Sequence, residues 1–243
     1  MLNKVIRFTA PKEYLKQKNY PEPCKLHIPK WYKDLNHSDT LMTVKGCMPF
    51  LDTLTTGYLL KIPVDLKLTH NVYAEGKRHS ILHSHVPYHY ETQINVNRRD
   101  IPQKHPPEQL GDKCPFLQKN KNLQIQKILN PWIIKTPPGY SCLFLPPMNN
   151  ADDRFSIIPG IVDTDTFESE INFPILVNGD KYPVLETIIE KGTPYVQVIP
   201  FLRESWKIQI EEEKVNYSER FFHQFTKLIH NYKSNWWHKK IWK

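Results

Sequence analysis

Residues 160–179 read "GIVDTDTFESEINFPILVNG" and set acidic side chains, among them Asp163, Asp165 and Glu168, beside a run of strand-forming residues. β-Branched and aromatic residues favour strands, whereas aspartate and glycine favour turns. The pattern therefore predicts a β-hairpin with an acidic tip. Because the chain as a whole is basic, with a net charge of +8, the tip is either a site of chemistry or only a polar turn.

The β pattern extends to both sides of this stretch. Between residues 123 and 210, short segments rich in β-branched and aromatic residues alternate with turn residues: "LQIQKIL", "WIIKT", "YSCLFL", "FSIIPGIVDTD", "INFPILV", "YPVLETIIEK", "YVQVIPFL" and "WKIQIEEE". Such spacing is typical of a sandwich or a barrel. The 21 prolines against 8 glycines agree with it, because proline suits strand edges and turns and is excluded from helix interiors. The sequence predicts a mainly β fold.

We place a single β-rich core domain at residues 43–212. Its first part, residues 43–68, predicts a pair of strands with Gly57 at a turn or bulge. Residues 1–42 precede this domain, and prolines divide them into short apolar pieces. They predict an extended N-terminal arm with at most one helical turn, around Trp31.

Residues 213–243 change from a strand pattern to a helical one. Ser218 is a suitable N-cap, and the apolar residues that follow recur at the i, i+3, i+4 spacing of an amphipathic helix. They are Phe221, Phe222, Phe225, Leu228, Ile229 and Tyr232. The sequence predicts one C-terminal amphipathic helix followed by a tail rich in tryptophan and lysine.

Composition restricts the cellular setting. No window approaches the roughly 18 consecutive apolar residues of a membrane span, and the first residues lack the apolar core of a secretory signal. The four scattered cysteines form no CxxC pair, so we expect free thiols. These features predict a cytoplasmic protein without a membrane span.

Four histidines, His79, His83, His85 and His89, lie in "RHSILHSHVPYHY" (78–90). Imidazoles on one face of a strand could bind zinc, iron or copper, and a metal-dependent oxygenase is one weak possibility. A metal site needs three or four ligands of defined geometry, and neither HExxH nor a convincing HxD motif is present. We therefore interpret the cluster as polar surface and predict no metal.

The tail "KLIHNYKSNWWHKKIWK" (227–243) interleaves basic and aromatic residues. Its lysines could neutralise phosphates while its indoles stack on unpaired bases. The candidates for contact with nucleic acid or another partner are Lys233, Trp236, Trp237, Lys239, Lys240 and Trp242. The favoured alternative is a docked tail, because three tryptophans in seven residues are too apolar to leave wholly exposed.

Common nucleotide-binding and hydrolase motifs are missing from the sequence. It contains no Gly-rich phosphate loop, no GxSxG elbow and no GxGxxG fingerprint. The usual NTPase, hydrolase and dinucleotide-enzyme classes are therefore disfavoured.

Three short motifs in the second half of the chain follow one another: "PPGY" (137–140), "GIVDTD" (160–165) and "KGTPYVQVI" (191–199). In order and spacing they resemble the trimeric dUTPases and their dCTP-deaminase relatives. The resemblance implies a β-clip fold, an all-β arrangement of bent hairpins that often trimerises. It therefore suggests a homo-oligomer, with a trimer as the first expectation.

The same resemblance implies roles for individual residues. The aspartate that matches Asp163 activates water or orients a sugar hydroxyl in that family, and a carboxylate at a hairpin tip can accept a proton. The glutamine that matches Gln197 lies near the phosphates. Asn149, Thr164, Asp165 and Phe167 complete the candidate ligand-binding set with Gln197, and Asp163 is the catalytic candidate.

The chain also departs from that family. Pro147, Met148 and Asn149 stand where the family has Arg-Ser-Gly, so the guanidinium that would bind phosphate is missing. Thr166 replaces the tyrosine that stacks on deoxyribose. The favoured interpretation is therefore a non-catalytic or diverged ligand-binding or protein-interaction module without a cofactor. The alternative is a nucleotide-processing enzyme, such as a dUTPase-like pyrophosphatase, which would need Mg²⁺.

A longer resemblance covers most of residues 43–206. The chain is similar to a family of phage and bacterial proteins that brings no established activity with it. The similarity rests on "CMPFLDTLTTGY", "NPWIIKTPPGYS", "GIVDTDTF", "INFP" and "GTPYVQVIPFLRESW". It implies a protein of a bacterial or phage-infected cell.

Overall fold

Two compact units make up the chain. The computed structural model describes residues 4–212 and 231–243, apart from residues 39, 74, 75, 77, 85–101, 112 and 151. The first unit contains residues 1–22 and 57–202, and the second contains residues 23–56 and 203–243.

Strands dominate the described residues. Strands β1 to β14 are Arg7–Thr9, Glu22–Pro23, Tyr58–Lys61, Leu66–Asn71, His79–Ser84, Pro102–Lys104, Gln126–Ile128, Ile133–Lys135, Tyr140–Leu145, Phe155–Ile157, Gly160–Val162, Phe173–Val177, Val184–Ile189 and Pro194–Leu202. Helices α1 to α5 are short: Lys12–Lys16, Lys30–Asp34, Met48–Thr55, Pro115–Lys119 and Asn231–Asn235. Three single 3₁₀ turns cover Cys24–His27, Val44–Gly46 and Pro107–Gln109.

The strands form antiparallel sheets. The largest has the order β11-β9-β14-β3-β2, a second has the order β10-β12-β7-β6, a third has β13-β4-β5, and β1 pairs with β8. Side chains from the first three sheets and from β8 form one buried cluster. Its most buried members are Leu60, Ile62, Leu66, Leu68, Ile128, Ile134, Cys142, Phe144, Ile157, Ile189, Val196 and Val198. The prediction of a mainly β fold is confirmed.

The hairpin predicted for residues 160–179 is wrong. β11 pairs with β9, with Val162 opposite Cys142. β12 lies in another sheet, between β10 and β7. The reason is burial: "FPILV" in β12 is buried at four of its five positions, which suits a central strand, whereas β11 lies exposed at a sheet edge. The acidic stretch therefore connects two sheets.

The pair of strands predicted for residues 43–68 is also wrong. Met48–Thr55 is a helix, and β3 and β4, which follow it, lie in different sheets. Pro49 lies in the first turn of this helix, where the missing N–H of proline has no cost. Gly57 follows the helix with a φ of +77°, as a turn position requires.

The described residues of the second unit include the helices α2, α3 and α5. The helical turn predicted near Trp31 is present as α2, but the prediction of at most one such turn in residues 1–42 is wrong, because α1 and the 3₁₀ turn Cys24–His27 also lie there. Trp31, Tyr32 and Phe50 form an aromatic cluster in which Tyr32 stacks on Phe50 with ring centroids 5.8 Å apart. Within the described residues, α5 is the C-terminal helix. Most of the amphipathic helix predicted after Ser218 lies outside the described residues.

Candidate functional site

Asp165 fixes the turn that precedes β9. The Tyr140 amide donates to the Pro137 carbonyl at 3.2 Å, and Gly139, the third residue of this turn, has a φ of +81°. Proline followed by glycine is the usual pair at these positions of a type II turn. The Gly139 amide donates to Asp165 Oδ2 at 2.8 Å. This carboxylate therefore ties the "PPGY" turn to the segment after β11.

Thr164 lies in the packed interior and not at an accessible surface. It is fully buried, and its Oγ1 lies 2.8 Å from Thr136 Oγ1 and 3.3 Å from Cys142 Sγ. Burial raises the pKa of the Cys142 thiol to about 11, an effect that the hydrogen bond from Thr164 only partly opposes. This cysteine therefore stays a thiol at neutral pH and has little nucleophilic character.

Asp163 begins the turn after β11 and is exposed. Its Oδ1 accepts a hydrogen bond from Ser141 Oγ at 2.6 Å. Its backbone carbonyl accepts bonds from the amides of Thr166 at 3.1 Å and Phe167 at 2.9 Å. A carboxylate held in this way can accept a proton or bind a cation, but one of its oxygens already anchors the turn to β9.

Gln197 lies on β14, and Asn149 lies in the turn that follows β9. Gln197 is 2% exposed, and its Oε1 accepts a hydrogen bond from the Met148 amide at 2.9 Å. Asn149 has a φ of +57° in the turn that follows β9, a conformation that asparagine tolerates better than most residues. Gln197 thus holds in place the segment that replaces Arg-Ser-Gly.

The structure does not bring Asp163 and Gln197 together within one chain. Gln197 is opposite Leu145 on β9, whereas Asp163 is hydrogen-bonded to Ser141 on the same strand. Four residues of extended strand span about 13 Å. One small reacting group could not contact both side chains at once.

Phe167 and Glu168 form the exposed part of the acidic turn. Phe167 is 42% exposed. Glu168 accepts a bond from Lys135 Nζ at 2.9 Å, and this hydrogen bond holds the pKa of the Glu168 carboxyl below its usual value. Because Glu168 is fully exposed, the pair fixes the turn only weakly.

A pocket of about 200 Å³ lies beside the loop after β9. Pro146, Pro147, Phe155 and Pro194 supply apolar walls, while Asn150, Ser156, Asn178 and Tyr195 supply polar groups. The Tyr195 hydroxyl is buried and has no hydrogen-bond partner among the described residues. Burial raises the pKa of Tyr195 far above its ordinary value, so the hydroxyl keeps its proton. It is a donor for which the described chain provides no acceptor.

Two carboxylates at this pocket are already neutralised. Asp152 forms an ion pair with Arg154 at 2.8 Å, and the hydrogen bonds from that guanidinium hold the pKa of Asp152 below its usual range. Asp153 accepts bonds from Lys181 and Tyr182, both at 2.7 Å. Both acids of this pocket therefore already have cationic partners in the chain.

Sequence analysis did not identify Tyr195 as a site residue. The residue lies in "KGTPYVQVI", where the candidate ligand-binding residue was Gln197. A tyrosine within a run of β-branched core residues was a usable signal, because a buried hydroxyl needs a partner.

The histidines do not converge in the described residues. His79 and His83 both point to the outer face of β5, where four residues of strand separate them by about 13 Å. That distance is too long for both imidazoles to bind one ion at ordinary ligand distances. No group of three or more metal-binding side chains occurs in the part of the chain described. His85 and His89 lie outside the described residues.

His70 is a buried histidine that sequence analysis did not single out. It is 0% exposed, and neither ring nitrogen has a hydrogen-bond partner among the described residues. Burial lowers the pKa of His70 below the ordinary 6.5, and the charge of His79 adds to the effect. The folded protein therefore keeps this imidazole neutral.

The free energy of unfolding is expected to fall as the pH decreases through the ordinary histidine pKa of 6.5. Above that pH both states leave His70 neutral, whereas below it the unfolded chain binds a proton that the folded chain excludes. Urea unfolding at about pH 7.5 and about pH 5.5 measures how much the free energy of unfolding falls between the two pH values. This fall should be smaller in His70→Leu than in wild type. An identical loss in the variant would rule out His70 as its source.

The C-terminal tail docks on α3 inside the second unit. Trp237 Nε1 lies 3.2 Å and 3.1 Å from the two carboxylate oxygens of Asp52, and Lys240 Nζ donates to the same carboxylate at 2.6 Å. Trp242 is half-buried, whereas Lys233, Trp236 and Lys239 are exposed. Of the predicted contact residues, Trp237 and Lys240 thus hold the tail on α3. Binding of nucleic acid by the other four stays a prediction.

The protein is mainly β. Its pocket lies beside the loop after β9, and its acidic turn follows β11. Searches against protein-family models and curated proteins find no match. The solved structures that match include the dUTPase of Staphylococcus bacteriophage 80alpha, a glycine-to-serine mutant with dUpNHpp. That match covers 89% of this chain and 93% of the other, at 12% identity and a TM-score of 0.37. So low a likeness carries no argument about ligand or activity.

None of the helices in the described part of the chain has the length and apolar character needed to cross a lipid bilayer.

Proposed function

We propose that this protein is a non-catalytic ligand-binding module on a β-clip scaffold, and that it assembles with copies of itself. The observation that carries the proposal is that the chain itself hydrogen-bonds one side-chain oxygen of each of three candidate residues. Asp163 accepts from Ser141, Asp165 from Gly139, and Gln197 from Met148. These side chains hold turns against strands, which is a structural role.

The pocket beside Pro146 and Pro147 is the site we assign to the ligand. Its walls are rigid, because prolines and one phenylalanine supply them, and rigid walls suit a flat ring. Its polar groups are amides, hydroxyls, two ion-paired carboxylates and the ammonium of the exposed Lys119. We propose that the ligand is small and flat, carries no positive charge, and has an acceptor for the Tyr195 hydroxyl.

Replacing Tyr195 with phenylalanine tests this assignment through stability. The variant should gain about 1 kcal/mol in free energy of unfolding, because it removes a buried donor without a partner in the chain. Tyr182→Phe is the matched control. It should lose stability instead, because its hydroxyl donates to Asp153 at 2.7 Å. Equal losses in both variants, measured by urea unfolding, would show that the Tyr195 hydroxyl has a partner in the folded chain.

Thermal shifts with 2-pyridone and benzamide test the ligand class. Both molecules are flat and uncharged, and each carries a carbonyl that can accept a bond from Tyr195. Wild type should be stabilised by millimolar probe, and Tyr195→Phe should be stabilised less. Equal shifts in both proteins, or none in wild type, would contradict the assignment.

The alternative is a nucleotide-processing enzyme with Asp163 as its base. The observation that favours it is the exposure of Asp163 at the start of its turn. Because this activity would need Mg²⁺ and a triphosphate, a pyrophosphate assay separates it from the first proposal.

A further inference from the structure

The segment after β14 contains large apolar side chains that the described structure leaves uncovered. Residues 203–212, which we call the arm, contain neither helix nor strand. Trp206, Ile208 and Ile210 in the arm are 86%, 83% and 89% exposed. Single exposed apolar residues are ordinary, but three in so short a segment indicate an interaction surface.

The arm has the sequence of a strand without a strand partner. Its apolar residues occupy every second position, which puts them on one face of an extended chain. Sequence analysis predicted a strand at "WKIQIEEE", yet no backbone hydrogen bond joins residues 204–212 to another described residue. A strand pattern without a partner among the described residues suits pairing with another molecule.

The three-stranded sheet β13-β4-β5 carries a matching surface. Ile81, Val184 and Ile188 are 47%, 59% and 43% exposed. The register puts Ile81 opposite Thr69, and Thr69 opposite Glu186, which lies between Val184 and Ile188. All three apolar side chains therefore share one face of this sheet, which we call the sheet face. Each copy of the chain carries both an arm and a sheet face.

We propose that the arm of one copy packs on the sheet face of a second copy. The inference deepens the self-association proposed above by naming its interface. One tryptophan and two isoleucines expose on the order of 500 Å² per arm, and two arms with the faces they cover bury roughly 1,500 Å². That area lies in the range of stable protein interfaces, so two reciprocal contacts suffice to hold a closed oligomer.

Light scattering during size-exclusion chromatography of the full chain tests the arm. Wild type should have a multiple of the 28.8 kDa mass of one chain. The triple variant Trp206→Ser, Ile208→Ser, Ile210→Ser should fall at least twofold in mass, to a monomer. The matched control, Lys207→Ser, Gln209→Ser, Glu211→Ser, changes the other face of the arm and should keep the wild-type mass.

A second triple variant tests the sheet face. Ile81→Thr, Val184→Thr, Ile188→Thr keeps β-branched residues in the strands and should also be monomeric. Mixing it with the arm variant should restore a complex, because one protein supplies an intact arm and the other an intact sheet face. Circular dichroism checks that both variants keep the wild-type fold.

The outcomes separate the two proposals. A monomeric wild type at every protein concentration overturns both self-association and the interface, and binding to vesicles or to another protein would then account for the arm. A wild-type oligomer that survives the arm variant overturns the interface alone. Neither result affects the Tyr195 pocket, which is tested by stability and thermal shift.

Discussion

Gly57→Ala is expected to lower the free energy of unfolding of the first unit by about 3 kcal/mol or more. A Cβ at Gly57 would lie 2.1 Å from the Val198 carbonyl oxygen, which is far inside contact distance. That oxygen is backbone in β14, and Val198 is paired with Tyr58 on β3. Relieving the clash would disturb this pairing. The φ of +77° adds about 1–2 kcal/mol of strain for any residue with a Cβ.

Gly192→Ala is the control for Gly57. It has a φ of +89°, but a Cβ there meets nothing within 4 Å. This variant should lose only the backbone strain, about 1 kcal/mol. Urea unfolding of both variants measures the difference. Equal losses would mean that the close approach of Gly57 to β14 has no energetic effect.

Asp52→Ala is expected to lower the stability of the second unit by about 2–3 kcal/mol and to release the tail. The substitution removes the shared acceptor of Trp237 and Lys240, and hydrogen bonds to a charged group are stronger than neutral ones. The Asp52 side chain is only 20% exposed, which limits screening of the pair by solvent. Faster trypsin cleavage at Lys239 and Lys240 reports the release.

Asp34→Ala provides a matched acid-to-alanine control in the same unit. Asp34 pairs with Lys30 on the helix surface, where the two side chains are 55% and 87% exposed. Such a pair contributes less than about 0.5 kcal/mol, so this variant should behave like wild type. Tryptic cleavage of the tail that is as slow in Asp52→Ala as in Asp34→Ala would contradict the docking of the tail on α3.

The sequence predicted a mainly β fold correctly because the segments with strand-forming residues are also the segments that pair and pack as strands. Short segments such as "YSCLFL" and "YVQVIPFL" became β9 and β14, which pair with each other. The partners of other strands could not be read from local pattern. "FPILV" forms β12, which pairs with β10 and β7 in a sheet that does not contain β11. It takes this central place because it is buried on both faces, and that burial depends on the whole fold.

Two segments with strand-like composition did not become strands, for different reasons. Residues 48–55 form a helix because Pro49 suits a first helical turn, and Met48 and Leu54 are buried in it. Residues 204–212 keep the strand pattern without a partner in the described chain. In the first case a local helix signal outweighs the strand-like composition. In the second case the partner that we propose belongs to another copy of the chain.

The candidate site was predicted only in part. "PPGY" and "GIVDTD" do lie side by side, joined by the bonds from Gly139 to Asp165 and from Ser141 to Asp163. The distance between Asp163 and Gln197 depends on strand register, which sequence spacing does not reveal. The pocket at Tyr195 arises where the loop after β9 meets β10 and β14, and no local motif marks such a meeting.

Pyrophosphate release by the full-length protein tests the central claim most directly. The assay uses a panel of deoxynucleoside triphosphates with Mg²⁺, for wild type and for Asp163→Asn. A ligand-binding module with no catalysis should release no more pyrophosphate than the buffer blank, in either protein. Release by wild type that Asp163→Asn abolishes would contradict this account and establish Asp163 as a catalytic residue.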